Sequence, residues 1–395
     1  MVKVNPRDVS RQAGSASAGL RGNTIDVVSA ARRGAGMKVS TGGTAGGPAG
    51  IAEAVRAAEG LGYDEFTIGE TRHDSIVGAT LAAAHSERIG IGTFTIAFPR
   101  SPTVLAMEAW DLQQVSKGRF TLGLGSQVKG HNLHRFSTEW PGAPATRLKE
   151  YVTMLRAVWR SFQTGEKPDY VGRYYHYTLM TPNFNPGPIA HPMPKVGMGC
   201  VGDGMARAAG EVADLVLPHG FMTDRYMREV LLPNVAIGLK RSGRIWSDIE
   251  VTGGGFTVFG ETESEIEQKL DGLRQPISFY GSTRSYHEIF AVHDLADFGM
   301  RLHELSLKGQ WDAMRAAVTE EIIRVFAQTS TYDKLPEFIR EHREYASRIG
   351  LGNLPTQTPA QRERAQQIIR EVQQVQVPGV PRGLAIEPNG AGGDR

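Results

Sequence analysis

Eight times between about residue 37 and residue 330, a short apolar run is followed by a stretch with helical spacing. That alternation leaves few architectures open. Continuous apolar strands, each followed by a helix, form a parallel sheet covered by helices. Eight such steps over somewhat more than ~250 residues suit a closed (β/α)8 TIM barrel with insertions. A doubly wound open sheet is the alternative. The strand runs are Met37–Thr41, Phe66–Gly69, Ile89–Ala97, Phe120–Leu124, a glycine-bearing run from Val196, Leu215–Leu217, Ile249–Phe259 and Pro276–Tyr280. The clearest helix carries Leu148, Tyr151, Val152, Leu155, Val158, Trp159 and Phe162 on one face over four turns. After it, the tyrosine- and proline-rich stretch 164–195 cannot be regular throughout and reads as the main insertion, after strand four.

The two ends read differently from this middle. Residues 1–36 hold five arginines among Gly, Ser and Ala, and are expected to form a basic flexible extension. A transit peptide has a similar composition. The barrel is expected over 37–330. Residues 331–395 are expected to add a polar helix at Pro359–Gln376 and a disordered tail. Both extensions suit a homodimer or higher oligomer, or a further partner.

Composition removes several functions. The net charge of +2 implies no polyanion, hence no nucleic-acid partner. No apolar run is long enough for a bilayer, so no membrane association is expected. The lone Cys200 excludes an internal disulfide and fits a reducing cytoplasm. It has no basic neighbour in sequence and reads as a buried structural thiol. Zinc-ligand spacing is absent, and no metal is expected.

The segment Val196–Pro218 is the best candidate for a phosphate site. It reads as strand, glycine turn, helix and strand. A helix N-terminus offers unpaired N–H groups and a partial positive charge, and glycine lets a ligand approach them. Gly197, Gly199 and Gly202 also match the dinucleotide pattern G-x-G-x-x-G. That match is weak: Gly197 and Gly199 fall inside the strand, and Asp214 comes too early for the ribose-binding acid.

In a barrel, chemistry sits at the C-terminal ends of the strands. Those ends are Ser40–Gly43, Glu70–Asp74, Ala97–Arg100, Gly125–Val128, Val201–Gly204 and Tyr280–Thr283. Glu70 and His73 form their only dense titratable cluster. A carboxylate beside an imidazole can tune proton transfer near neutral pH, but a capping Glu70 and a solvated His73 are equally open. His131 and His134 read as loop polar groups. Ser126 lacks the G-x-S-x-G context of a nucleophile elbow. A phosphate turn on strand five calls for a planar ligand across the mouth, and a flavin or deazaflavin would fit. Its ring would lie over Thr95–Phe98 and Gly123–Gln127.

On these residues the chain resembles the luciferase-like monooxygenase superfamily, and within it the actinobacterial coenzyme F420-dependent oxidoreductases. The carriers are Gly69–Asp74, Arg100–Ala106, Gly118–Val128, Leu179–Pro188 and Phe279–Thr283. They cover about 37–285 in the family's order. The resemblance implies a barrel that binds F420, or FMN as the alternative, with phosphate at Val201, Gly202, Gly204 and Met205. It implies a kinked, often cis, non-prolyl peptide near Ile96 and Ala97 beneath the ring, with Gly125, Ser126 and Gln127 beside it. The acid and histidine of relatives map to Glu70 and His73, although relatives often place the two adjacent and two residues intervene here. The implied reaction is hydride transfer between the deazaflavin C5 and a small organic substrate, with Glu70 or His73 handling the proton. Insertion 164–195 would act as a lid, with Trp140, Tyr175 and Tyr280 on the substrate side. An FMN-dependent monooxygenase using oxygen and a partner reductase, or a non-catalytic cofactor-binding or assembly barrel, are the other readings.

Overall fold

The computed structural model describes residues 36–43, 47–97 and 100–386. The expected N-terminal extension falls outside these residues save for Gly36, as do Phe98, Pro99 and the end of the chain beyond 386. Eight parallel strands make one sheet: β1 (Lys38–Gly42), β2 (Glu65–Ile68), β3 (Gly90–Ala97), β4 (Phe120–Gly125), β5 (Lys195–Cys200), β6 (Leu215–Pro218), β7 (Glu250–Val251) and β8 (Arg348–Gly350). Their order is β8-β1-β2-β3-β4-β5-β6-β7, sequential around a ring. Closure between β7 and β8 rests on a bridge from Thr252 to Arg348. There Ser347 N–H donates to Val251 O (2.9 Å) and Gly253 N–H to Arg348 O (3.0 Å). This is the (β/α)8 barrel that the alternation implied.

Local chemistry starts and stops the helices between strands. Helix α1 (Ile51–Leu61) buries Ile51, Val55 and Ala58 and ends at Gly62, whose φ of 94° suits only a residue without Cβ. Helix α2 (Ser75–Ala84) starts at Asp74, whose carboxylate accepts from the N–H groups of Ile76 and Val77. Pro102 and Pro144 occupy the first turns of α3 (Pro102–Val115) and α4 (Pro144–Thr164), where no N–H is needed. Helix α4 buries the predicted stripe from Leu148 to Phe162. Helices α5 (Asp203–Val212) and α6 (Leu232–Arg241) follow β5 and β6. The polar C-terminal helix α7 (Pro359–Gln373) starts with a Thr358–Gln361 capping box and packs on α1 and β1.

Three sequence expectations fail here. Pro276–Tyr280 is no strand; it lies in a helix, Arg274–Gly281, that buries Ile277, Ser278 and Gly281. A five-residue apolar run cannot by itself separate the two. The eighth strand is Arg348–Gly350, so the barrel does not end near 330. Its three residues, led by an arginine, give almost no strand signal. Ile249–Phe259 is also not one strand. It breaks after Val251, and Phe256–Gly260 pairs outside the barrel with Ala327–Thr331. The stretch 252–347 is therefore a second insertion, larger than 164–195.

Charges sit where the strands begin. Arg348, 2% exposed, meets both oxygens of Glu65 at 2.7 Å and also pairs with Glu250. Lys195 Nζ reaches Glu250 at 2.6 Å, and Lys38 Nζ lies 3.6 Å from it. All five are first residues of strands, so together they form a charged floor at the N-terminal end of the barrel. Burial works to raise the Glu250 pKa, but Arg348, Lys38 and Lys195 outweigh it and hold the carboxyl well below its usual range.

Candidate active site

At the opposite end, Glu70 follows β2 and Arg100 follows β3. Arg100 Nη1 donates to both Glu70 oxygens (2.8 and 3.1 Å), and its other arm pairs with Asp74. Ser75 Oγ donates to Glu70 at 3.1 Å. Burial opposes the charge on Arg100, yet the two carboxylates raise its pKa. Tyr151 OH, from α4, donates to Arg100 O at 3.0 Å. Glu70 is thus a fixed member of a three-residue ion-pair network, braced by the Ser75 hydroxyl. His73 is exposed and lies against the loop after β1: a Cβ built on Gly47 would be 3.2 Å from its Nε2. No hydrogen bond joins Glu70 to His73 among the described residues.

Strand β3 carries a cis peptide at Phe94–Thr95, one residue before Ile96. The β3–β4 register shifts there, and pairing resumes at Ile96–Leu124 and Ala97–Gly125. The glycines of β4 answer this kink. A Cβ on Gly123 would lie 1.9 Å from Thr93 O, and one on Gly125 2.6 Å from Thr95 Oγ1. Gly125 is therefore required by its neighbouring strand, whatever binds above it. Next to it, Gln127 has a φ of 55°. Buried Asn132 steadies that turn by donating to Ser126 O and Val128 O, both at 3.1 Å.

Gly202 and Gly204 behave in the opposite way. Gly197 and Gly199 lie inside β5, Gly202 caps α5, and Gly204 is in its first turn. Neither Gly202 nor Gly204 has a positive φ. A Cβ on Gly202 would meet only Glu288 at 3.9 Å, and one on Gly204 only Ala145 at 3.7 Å. Nothing among the described residues demands glycine at either position, and the space beside both is open to approach from outside the chain. The N–H groups of Asp203 and Met205 have no partner among the described residues. The Gly204 N–H is taken by Asp203 Oδ1 (2.5 Å), and Arg207 Nη2 holds the other Asp203 oxygen at 2.6 Å. Val201 O accepts from Tyr226 OH at 3.1 Å. A phosphate fits this cradle: open glycines, two free N–H groups and a helix N-terminus, with Arg207 alongside.

Sequence reasoning missed one candidate. His219 directly follows β6 and is packed among aromatics. Its ring centroid lies 4.5 Å from that of Tyr280 and 5.0 Å from that of Tyr286, and Phe221 stands 5.8 Å from Tyr286. Burial pushes the His219 pKa down to about 4, so the ring is neutral near pH 7. Its Nδ1 accepts from Phe221 N–H at 3.0 Å. The signal was available, because Pro218-His219-Gly220 ends the sixth apolar run. The sequence places Tyr280 at the end of an eighth strand; it lies instead on a helix of the second insertion, against His219 at the end of β6.

Insertion 164–195 is fastened to the barrel's flank. Trp110 and Gln113 of α3 donate to Gly187 O (3.2 Å) and Pro192 O (2.6 Å), and Gln163 of α4 to Ile189 O (3.2 Å). Its hairpin, 170–177, reaches the first turns of α4, where Tyr170 OH donates to Glu150 O at 3.3 Å. There Glu150 accepts from the N–H groups of Tyr174 and Tyr175, and Arg147 Nε donates to Tyr175 OH at 2.8 Å. Tyr175 is thus engaged in docking the loop, while Trp140 is half-buried against the core. Cys200 is buried, and burial pushes its thiol pKa far up, as befits a structural residue.

A parallel eight-stranded barrel with an anion-ready turn on strand five defines the class. Residues 27–374 match the luciferase-like monooxygenase family, and the chain belongs to it. It is 38% identical over 294 residues to the uncharacterized protein Rv1360 of Mycobacterium tuberculosis, covering 74% of this chain and 86% of that one. It is 28% identical over 220 residues to the F420-dependent glucose-6-phosphate dehydrogenase of Nakamurella multipartita, covering 52% and 62%. Among solved structures, the coenzyme F420-dependent tetrahydromethanopterin reductase of Methanopyrus kandleri superposes with a TM-score of 0.66. It shares 19% identity over 86% of this chain and 98% of that one. No helix among the described residues is long and apolar enough to cross a membrane.

Proposed function

We propose that this protein is an F420-dependent oxidoreductase acting on a small organic substrate. The observation that carries the reading is the pair Gly202 and Gly204, glycines that nothing among the described residues demands, at the N-terminus of α5. They would take the phosphate end of the cofactor, with the N–H groups of Val201, Asp203 and Met205 around it. When bound, the deazaflavin supplies a hydride donor or acceptor at its C5. Ile96, Ala97, Gly125, Ser126 and Gln127 would form the floor beneath the ring. The network of Glu70, Arg100, Asp74 and Ser75 would hold one side rigid, so that Glu70 orients rather than shuttles. His73, exposed and without a hydrogen bond among the described residues, is the better candidate to move a proton. Trp140, Tyr175 and Tyr280 would stand on the substrate side.

Optical titration of the pure protein with F420 and with FMN tests this reading. Micromolar affinity for F420 is expected. Affinity for FMN with none for F420 would replace it with a flavin-dependent monooxygenase. For the chemistry, His73→Ala should lower turnover at least ~100-fold if His73 transfers the proton. Unaltered turnover removes it from the mechanism.

A further inference from the structure

The box at the end of β6 has features that a cofactor phosphate site does not use. Phe221 is fully buried and forms its back. In front, His219, Tyr280, Tyr286 and Phe256 each keep part of their surface open. Because Nδ1 of His219 accepts the Phe221 N–H, the neutral ring carries its proton on Nε2. That Nε2–H has no partner among the described residues and is not sealed from solvent. Burial alone acts on the His219 pKa; no charged side chain contributes. Burial and Tyr280 push the Tyr286 phenol up to about 12, so it too stays neutral. The box therefore offers flat aromatic walls, neutral hydrogen-bonding groups (the Nε2–H of His219 and the phenol hydroxyls of Tyr280 and Tyr286) and no charge.

We propose that His219 positions the substrate: its Nε2–H donates a hydrogen bond to the hydroxyl or carbonyl oxygen of an uncharged, largely apolar molecule seated among Tyr280, Tyr286 and Phe256. This rests on reading the barrel mouth as the active site, and it names the substrate class of that site. A buried neutral imidazole suits the role, since its donor strengthens in a low-dielectric site and carries no desolvation cost of a charge. A phosphorylated sugar would find no counter-charge in this box.

The test uses the full chain, with and without F420, and two probes of similar shape: acetophenone, which carries the oxygen, and ethylbenzene, which lacks it. Acetophenone should bind at least ~10-fold more tightly than ethylbenzene. His219→Phe, which keeps the aromatic volume, should abolish that preference while leaving ethylbenzene binding unchanged. His219→Gln should restore part of it. Nitrogen-15 NMR of labelled histidine should show the His219 signal as the Nε2–H tautomer at pH 7 and shift it with acetophenone. An Nδ1–H tautomer, an unchanged preference in His219→Phe, or no acetophenone binding with or without F420 overturns the proposal. F420 affinity should be the same in both variants as in the natural chain. If the chain binds FMN and not F420 while the acetophenone preference holds, the proposed function falls and the donor role stands. If F420 binds and the preference is absent, the donor role falls alone.

Discussion

The two ends of this barrel are built on opposite principles. At the N-terminal end, five charged side chains from the first positions of five strands, three cations and two carboxylates, pair in one network. At the C-terminal end, polar groups are left over: two N–H groups at the start of α5 and Nε2 of His219. In the floor each buried carboxylate has a cation, and of the five side chains Arg348 alone keeps a buried donor, its Nε, without a partner among the described residues. Unsatisfied donors in a partly closed mouth are what binding uses. The difference fits stability at one end and the proposed recognition at the other, and each can be broken separately.

The largest effect should come from the floor. Arg348→Met leaves Glu65 and Glu250 buried without their shared partner, since a methionine fills the space but carries no charge. Loss of one member of such a network costs about 3–5 kcal/mol. Urea unfolding should show this as a lower midpoint with the slope unchanged. Affinity for F420 in the fraction that remains folded should not change. A loss below ~1 kcal/mol would mean that the network is solvated and the floor is not what holds the strands together.

The next effect separates the two ends on the pH axis. His219 has a folded pKa of about 4, below the ordinary value of 6.5. The unfolded chain therefore binds its proton first on acidification, and stability falls between pH 6.5 and about 4, by up to ~3 kcal/mol. Glu250 is also depressed on folding. Its contribution is complete above the unfolded carboxyl pKa of ~4.3 and is lost only as pH falls below that. Stability measured against pH should show the upper step shrink in His219→Phe, leaving the part due to His287 and His293, whose pKa values burial also lowers, with the lower step retained. A single step below pH 4.5 in the natural chain would mean that His219 is better solvated than its aromatic packing implies.

The same contrast explains what could be read from the sequence. Seven of the strands announce themselves by apolar runs, because their residues are buried by neighbours of the same kind. The eighth is hidden because Arg348 is buried by ion pairing, and pairing partners 283 and 98 positions away leave no local pattern. The turn at Gly202 and Gly204 was legible because the strand, the two glycines and the helix follow one another in one local run. Gly125 also makes room for Thr95 on the adjacent strand, a role that no local pattern marks. The tie between Glu70 and Arg100 joins two strand ends 30 residues apart. It could be found only once the sheet order was known. Tyr280 reached the mouth by a route that no periodicity marks, on a helix of an insertion read as barrel.

A smaller effect tests the mouth. Gly204→Val adds a side chain where the chain itself leaves space, at a backbone angle that valine accepts. Stability should change by less than ~1 kcal/mol, the span of helix propensity between the two residues. F420 affinity should fall at least ~10-fold, about 1.4 kcal/mol, as the branched side chain blocks approach to the N–H groups. Unchanged affinity with unchanged stability would place the phosphate elsewhere.

The smallest effect concerns the flank between the two ends. Tyr175→Phe removes the hydrogen bond from Arg147 but keeps the ring, which packs edge-on against Tyr151 at 5.4 Å. If the insertion is a fastened strap, the cost is that of one charge-assisted hydrogen bond, about 1–2 kcal/mol of stability. Because the tip is also held by Glu150 through two backbone N–H groups, the loop should stay in place and F420 release should keep its rate. A lid behaves otherwise. Freeing its tip would speed cofactor or product release and raise KM with little loss of stability. Stopped-flow release of F420 from the variant, set beside its unfolding midpoint, decides between strap and lid, because only a moving loop shifts the first without the second.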